Sequence, residues 1–301
     1  MRIELPAGLA AVIGALPISV RDRLPKLPSA PPVVLNASDA VGNLIGNTPI
    51  EEMSAVASGV IPFLRRLRGR QDPVLLSVTG PVTLDLELRR GGSSDIEAGR
   101  LAMTAVERVA GRLVELTARL LPGAPVLLFL QEPALAHSMH PTFPMSPDEI
   151  EDLLTGVVDE LTIDSDVVVG LQVDGRADWA SLLRTGIGAL AAPVTAQLET
   201  AAVELGRFLE SGGIVAWGAV PVDEPLGQSA ERLWRRLSDL WCELTRLGID
   251  PLLLRERSII TPAAGLGNFG IGQAERILTL AEDLATRVLH QTLGVRLSIG
   301  A

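Results

Sequence analysis

Asp166-Val167-Val168-Val169-Gly170-Leu171-Gln172-Val173-Asp174-Gly175 is the stretch that decides the fold. Val167 to Val173 is an apolar run broken only by Gly170 and Gln172. That length and the β-branching suit a strand buried on both faces, as in a parallel sheet. The run closes on Gln172, Asp174, Gly175 and Arg176, which a core does not accommodate. In parallel α/β folds the chemistry lies just past the carboxyl ends of the strands. Gln172 and Asp174 are two apart and point to the same side of the strand. Two readings stand open: Gln172 closes a hydrogen bond in a barrel interior while Asp174 caps the next turn, or both line a pocket at the strand end.

Outward from this strand, the same pattern repeats. Short apolar runs at Leu9–Gly14, Pro32–Asn36, Pro73–Val78 and Pro125–Leu130 precede it, and Gly188–Ala192, Ile214–Val220 and Ser258–Thr261 follow. Between them lie helical patterns. Pro49–Arg68 has Thr48 as N-cap, and a long helix runs from Ser94 or Asp95 to about Leu121. Ser146-Pro147-Asp148-Glu149 opens another with a capping serine and early acids. Further helices are expected over Asp178–Arg184, Ala196–Leu209, Ser229–Leu247 and Gly272–Thr292. Eight strands alternating with helices imply parallel strands with right-handed crossovers. The expectation is an α/β fold of the (β/α)8 barrel type, a single domain over residues 1–301. A doubly wound sheet is the competitor, but Gly265-Leu266-Gly267-Asn268-Phe269-Gly270 follows the last strand and lacks the acidic partner of a dinucleotide fingerprint.

Composition narrows the function. The chain is 47% hydrophobic and no apolar run reaches the ~18 residues of a membrane span. Its start, Met-Arg-Ile-Glu-Leu-Pro, lacks the layout of a signal peptide. The formal net charge is −10, Lys26 is the only lysine and no basic stripe occurs, which speaks against nucleic-acid binding. Cys242 is the only cysteine, so no intrachain disulfide forms and a reducing, cytoplasmic setting fits. Three histidines and one cysteine exclude a thiolate-rich zinc site. Trp234 and Trp241, seven apart, share a helix face and read as core or dimer contact. Mid-helix Cys242 reads as a packing residue.

Five segments carry a resemblance: Ile13-Gly14-Ala15-Leu16-Pro17, Thr79-Gly80-Pro81-Val82-Thr83-Leu84, Gln131-Glu132-Pro133-Ala134-Leu135, Trp217-Gly218-Ala219-Val220-Pro221 and Thr261-Pro262-Ala263-Ala264-Gly265-Leu266-Gly267. In this order, at strand ends, they resemble the catalytic carboxyl-terminal domain of cobalamin-independent methionine synthase, within the uroporphyrinogen decarboxylase superfamily. The resemblance covers almost the whole chain. It implies a TIM barrel and methyl transfer to a thiol, from a folate or a corrinoid, with zinc holding the acceptor as thiolate.

Position by position, the resemblance departs from that pattern at the metal. The His-x-Cys pair of the family falls on Gln172 and Asp174, its carboxylate on or near Pro193, and its loop cysteine on Ala264. Glu199 is a displaced carboxylate, and His137 and His140, three apart, are pocket wall or alternative ligands. The aspartate that holds an amino acid's ammonium becomes Gln131, the strand-1 serine becomes Ala15, and Asp85-Leu86-Glu87-Leu88 offers no aromatic to stack on a folate. The implied function is a zinc-independent methyl, or one-carbon, transfer to a small molecule other than homocysteine. Glu132 and Asp174 are the candidate bases. Ala15, Gly80, Thr83, Gln131, His137, His140, Gln172, Arg176, Ala264 and Gly265 are the candidate binding residues, with no metal ligand. No cofactor is expected to be held tightly; methyltetrahydrofolate or methylcorrinoid is the donor implied, and a corrinoid protein or a second copy of the chain the partner. Two alternatives stay open: a non-catalytic ligand-binding or regulatory relative, and a metal-free decarboxylase or lyase in which Arg176 holds an acidic substrate.

Overall fold

In the computed structural model, residues 33–36, 61, 64–69, 71, 73–163, 165–222, 229–266 and 269–299 are described. The expected first strand at Leu9–Gly14, the helix over Pro49–Arg68 except for a few residues near its end, and Ala15 lie outside them. The chain is an α/β fold. Its contacts divide it into two compact units, the first running to Ala189 and the second starting at Leu190.

The first unit is built on four parallel strands in chain order: β1 (Val33–Asn36), β2 (Val74–Thr79), β3 (Val126–Gln131) and β4 (Val168–Gln172). β3 is apolar up to its polar last residue, and β2 is too apart from the buried Ser77, as buried parallel strands are. The register sets Val78, Leu130 and Leu171 in one row, all fully buried. On the other face it sets Ser77, Phe129 and Gly170 in one row and Thr79, Gln131 and Gln172 in the next.

Among the described residues after β2, the helices of this unit are α1 (Pro81–Arg90), α2 (Asp95–Leu120), α3 (Pro147–Thr162) and the single turn α4 (Trp179–Leu182). On α2, Ala98, Ala102, Val106, Val109, Leu113 and Leu116 recur every three or four residues and are buried. α3 starts in a capping box: Ser146 Oγ accepts from Glu149 N and the Glu149 side chain accepts from Ser146 N. α1 has no counterpart among the expected helices, because Thr79–Thr83 reads as a loop motif.

The second unit holds β5 (Ala189–Pro193), a 3-10 turn (Leu198–Ala201), α5 (Ala202–Glu210), β6 (Ile214–Val220), α6 (Ala230–Arg246), α7 (Pro251–Glu256), β7 (Ser258–Pro262) and α8 (Ile271–Ile299). β6 is buried throughout and pairs in parallel with β7. Trp217 lies fully buried and its Nε1 donates to Ser258 Oγ at 2.6 Å. The helix expected from Ala196 starts later. Gln197 takes a left-handed conformation, φ 60°, which breaks the helical path and leaves a 3-10 turn before α5. Among the described residues no helix is long and apolar enough to cross a membrane.

Candidate functional site

The carboxyl ends of β2, β3 and β4 bring most of the expected site residues of the first unit together. Gln131 and Gln172 are directly opposed in the register. Gln131 Nε2 donates to Gln172 Oε1 at 3.4 Å, and Gln172 Nε2 donates to Asp174 Oδ1 at 3.1 Å. A carboxylate only accepts, so Asp174 turns the Gln172 amino group toward itself and the Gln172 carbonyl toward Gln131. Both glutamines are half-buried and Asp174 is exposed. The result is an oriented row of neutral amides ending in one charge.

Beneath this row lies a single aromatic ring, Phe129, which no local pattern marks out. Phe129 is buried in the row below Gln131. A Cβ on Gly170 would stand 2.6 Å from Phe129 Cε1 and 2.7 Å from Cδ1, so the ring covers Gly170 and only glycine permits that approach. The glycine that interrupts the apolar run of β4 is therefore a packing requirement of this floor.

Glu132 is one residue from Gln131 and faces the opposite way. It is fully buried. Its Oε1 accepts from Val82 N at 2.8 Å, and its Oε2 accepts from Thr83 N at 2.7 Å and Thr83 Oγ1 at 2.5 Å. Val82 and Thr83 stand in the first turn of α1, whose N-cap, Gly80, has no side chain to serve the free N–H groups. Glu132 supplies that cap from 50 residues away, with its charge at the favourable end of the helix dipole. A Cβ on Gly80 would fall 2.2 Å from Glu132 Oε1, so glycine is required there too. Burial pushes the Glu132 carboxyl up to about 7, against the pull of the Thr83 and Val82 donors. Thr83 Oγ1 also accepts from Ala134 N at 3.3 Å, tying the turn after β3 to α1.

Farther along α1, Asp85 is fully buried and ion-paired with Arg89. Burial pushes the Asp85 carboxyl up while Arg89 draws it back. Arg89 also reaches Asp95 at 3.4 Å, Glu149 at 3.7 Å and the Pro144 carbonyl at 3.4 Å, so one guanidinium gathers α1, α2, α3 and the loop that carries the histidines.

The remaining candidates are dispersed. His137, at the end of a 3-10 turn (Pro133–His137), and His140 are exposed, and His140 Nδ1 lies 2.8 Å from Thr142 Oγ1. Arg176 is exposed. A Cβ on Gly175 would stand 2.8 Å from Ala136 Cβ, which puts the turn after β4 against the 3-10 turn. In the second unit, Pro193 ends β5 and is buried, Glu199 is half-buried in the 3-10 turn, Ala264 is half-buried and Gly265 exposed. Ala15 lies outside the described residues. Among the described residues no group of three or more His, Cys, Asp or Glu side chains is arranged to hold a metal ion.

What the first-unit arrangement can do follows from its donors. Two amides and one accessible carboxylate offer hydrogen bonds of both senses over an aromatic floor, which is the equipment of a pocket for a small polar molecule. No family model matches the sequence. No curated protein matches it either. Among solved structures, the chain is similar to a Cellulomonas fimi endo-beta-1,4-mannanase double mutant, with 14% identity over 92% of this chain and 75% of that one, and a TM-score of 0.43.

Proposed function

We propose that the chain is a (β/α)8 barrel related to the methionine synthase catalytic domain, and that the strand ends of its first unit bind a small polar acceptor that is methylated without zinc. The observation that carries this is the hydrogen-bonded chain Gln131–Gln172–Asp174 above Phe129. The two amides orient an acceptor whose reacting atom bears a proton. As that atom takes the methyl group from a folate or corrinoid donor, Asp174 accepts the proton and the donor leaves with the bonding electron pair. Asp174 is suited to this because it is exposed and already anchored by Gln172.

One observation favours a second reading, binding without turnover. Glu132, the other candidate base, is fully buried and its oxygens are engaged at α1. That leaves a single accessible carboxylate in the row. A thermal-shift screen of small amides, alcohols and amino acids, followed by turnover assays with methyltetrahydrofolate and methylcobalamin, separates the two. Stabilisation that Gln172→Leu abolishes, with methyl transfer that Asp174→Asn abolishes, supports transfer. Stabilisation without transfer from either donor supports binding alone. A ligand whose effect survives Gln172→Leu refutes both.

A further inference from the structure

A cavity lies in the second unit, between α6 and α7. It is a half-open groove of about 370 Å³, toward the lower end of small-molecule pockets at ~300–1,000 Å³. Its wall is mostly apolar and comes from Trp234, Trp241 and Cys242 on one face of α6 and Leu254 on α7. Trp234 and Trp241 meet edge to face with centroids 6.0 Å apart. Cys242 is exposed beside them, where the sequence suggested packing.

Two features give the groove a chemical preference. Arg246 and Arg255 line it. Arg257, two residues farther on, is anchored to the Gly212 carbonyl, whereas no salt bridge engages Arg246 or Arg255 among the described residues. In a chain of net charge −10 with abundant carboxylates, two uncommitted guanidinium groups on one apolar groove amount to a local inversion of sign. The second feature is the aromatic wall. Trp241 is 6% exposed and packs edge to face on both Trp234 and the fully buried Trp217, with centroids 6.0 and 6.1 Å away, so the indole that lines the groove is fixed to the core.

We propose that this groove binds a small aromatic carboxylate, its rings against Trp234 and Trp241 and its carboxylate held by Arg246 and Arg255. The carboxylate matches the guanidinium forks. Rings set edge to face offer a third ring an extension of the same packing.

Cys242, the only cysteine of the chain, reports occupancy. Alkylation by iodoacetamide, followed by intact mass, is measured with increasing 2-naphthoate or its neutral analogue 2-naphthylmethanol. The expected result is protection by 2-naphthoate at about one tenth the concentration that the alcohol needs, a difference of about 1.4 kcal/mol. In Arg246→Gln/Arg255→Gln that preference disappears, and in Arg235→Gln, an exposed arginine of α6 outside the groove, it stays. No protection by 2-naphthoate, equal protection by both compounds, or a preference that survives in the double variant overturns the proposal. So does protection that grows with protein concentration alone and accompanies a dimer in sedimentation, which assigns the groove to an interface between copies.

Discussion

Replacing Glu132 by glutamine removes the pH dependence of one buried interaction, and its size can be worked out. The folded carboxyl lies at about 7 against an ordinary value of 4.5. The folded chain thus holds this proton more tightly than the unfolded chain. Its contribution to stability is complete below about pH 4.5 and is lost as the pH rises through about 7. At ~1.4 kcal/mol per pH unit, the whole effect is about 3 kcal/mol. The protonated carboxyl can donate to Thr83 Oγ1, 2.5 Å away, and still accept from Thr83 N and Val82 N. An amide has the same shape but cannot serve both N–H groups. One is left unpaired in the interior, at ~1–3 kcal/mol. At pH 5, Glu132→Gln should therefore be less stable than the native chain by about that amount. By pH 8 the difference should have moved by about 2.5 kcal/mol in favour of the amide, since a little of the effect is already lost at pH 5, so that the two are near parity or the order is reversed. Urea unfolding at half-unit intervals from pH 5 to 8 measures this. Glu107, Glu115, Glu149 and Glu151 also have displaced pKa values but titrate in both proteins and cancel in the difference, whereas Asp85, whose charge acts on Glu132, contributes a smaller coupled change. A stability gap that stays constant with pH, or widens toward pH 8, refutes the reasoning.

Gly80→Ala should destabilise by ~1–3 kcal/mol in the same assay, since its Cβ meets the Glu132 carboxylate rather than a strained backbone. Combined with Glu132→Ala it should cost clearly less than the sum of the single changes. Arg89→Met leaves Asp85 buried without its partner and should cost ~3–5 kcal/mol at pH 8. The loss should be smaller at pH 5, where Asp85 takes up a proton more readily, as unfolding at the two pH values will show. Gly170→Ala drives a methyl group into the Phe129 ring, with Ala189 Cβ 3.1 Å away on the other side. It should cost ~1–3 kcal/mol and remove any ligand-induced thermal shift that depends on Gln172.

Strands were the legible part of the sequence because each is a short apolar run ended by a proline or a polar residue. The β4 run from Val167 and its polar close at Gln172 could be placed from seven side chains alone. The same holds for α3, whose capping box is local, as Ser146 and Glu149 are three residues apart. α1 was not legible for the converse reason. Its N-cap is a glycine, Gly80, and the group that serves its free N–H donors stands on a different strand. Local propensity carries no trace of such a cap. The floor of the candidate site was hidden in the same way. Gly170 looked like an interruption in an apolar run, and only the register opposite Phe129 explains it.

The sharpest consequence for function lies in two adjacent letters. Gln131-Glu132 reads as one motif, and both residues were natural candidates for a shared pocket. At the end of a strand, successive side chains leave on opposite faces. The register sends Gln131 to the row with Gln172, and Glu132 to the first turn of α1. A carboxylate that accepts two backbone N–H bonds and one hydroxyl, with no exposure to solvent, has the position of a structural cap rather than of a proton acceptor for substrate. The motif is thus accounted for on grounds of folding alone: glycine before the helix, proline at its first position, and a buried acid from the next strand to close it. Its presence speaks for this packing of α1 on the end of β3, and Glu132 is committed to that packing while Gln131 is left to the opposite face.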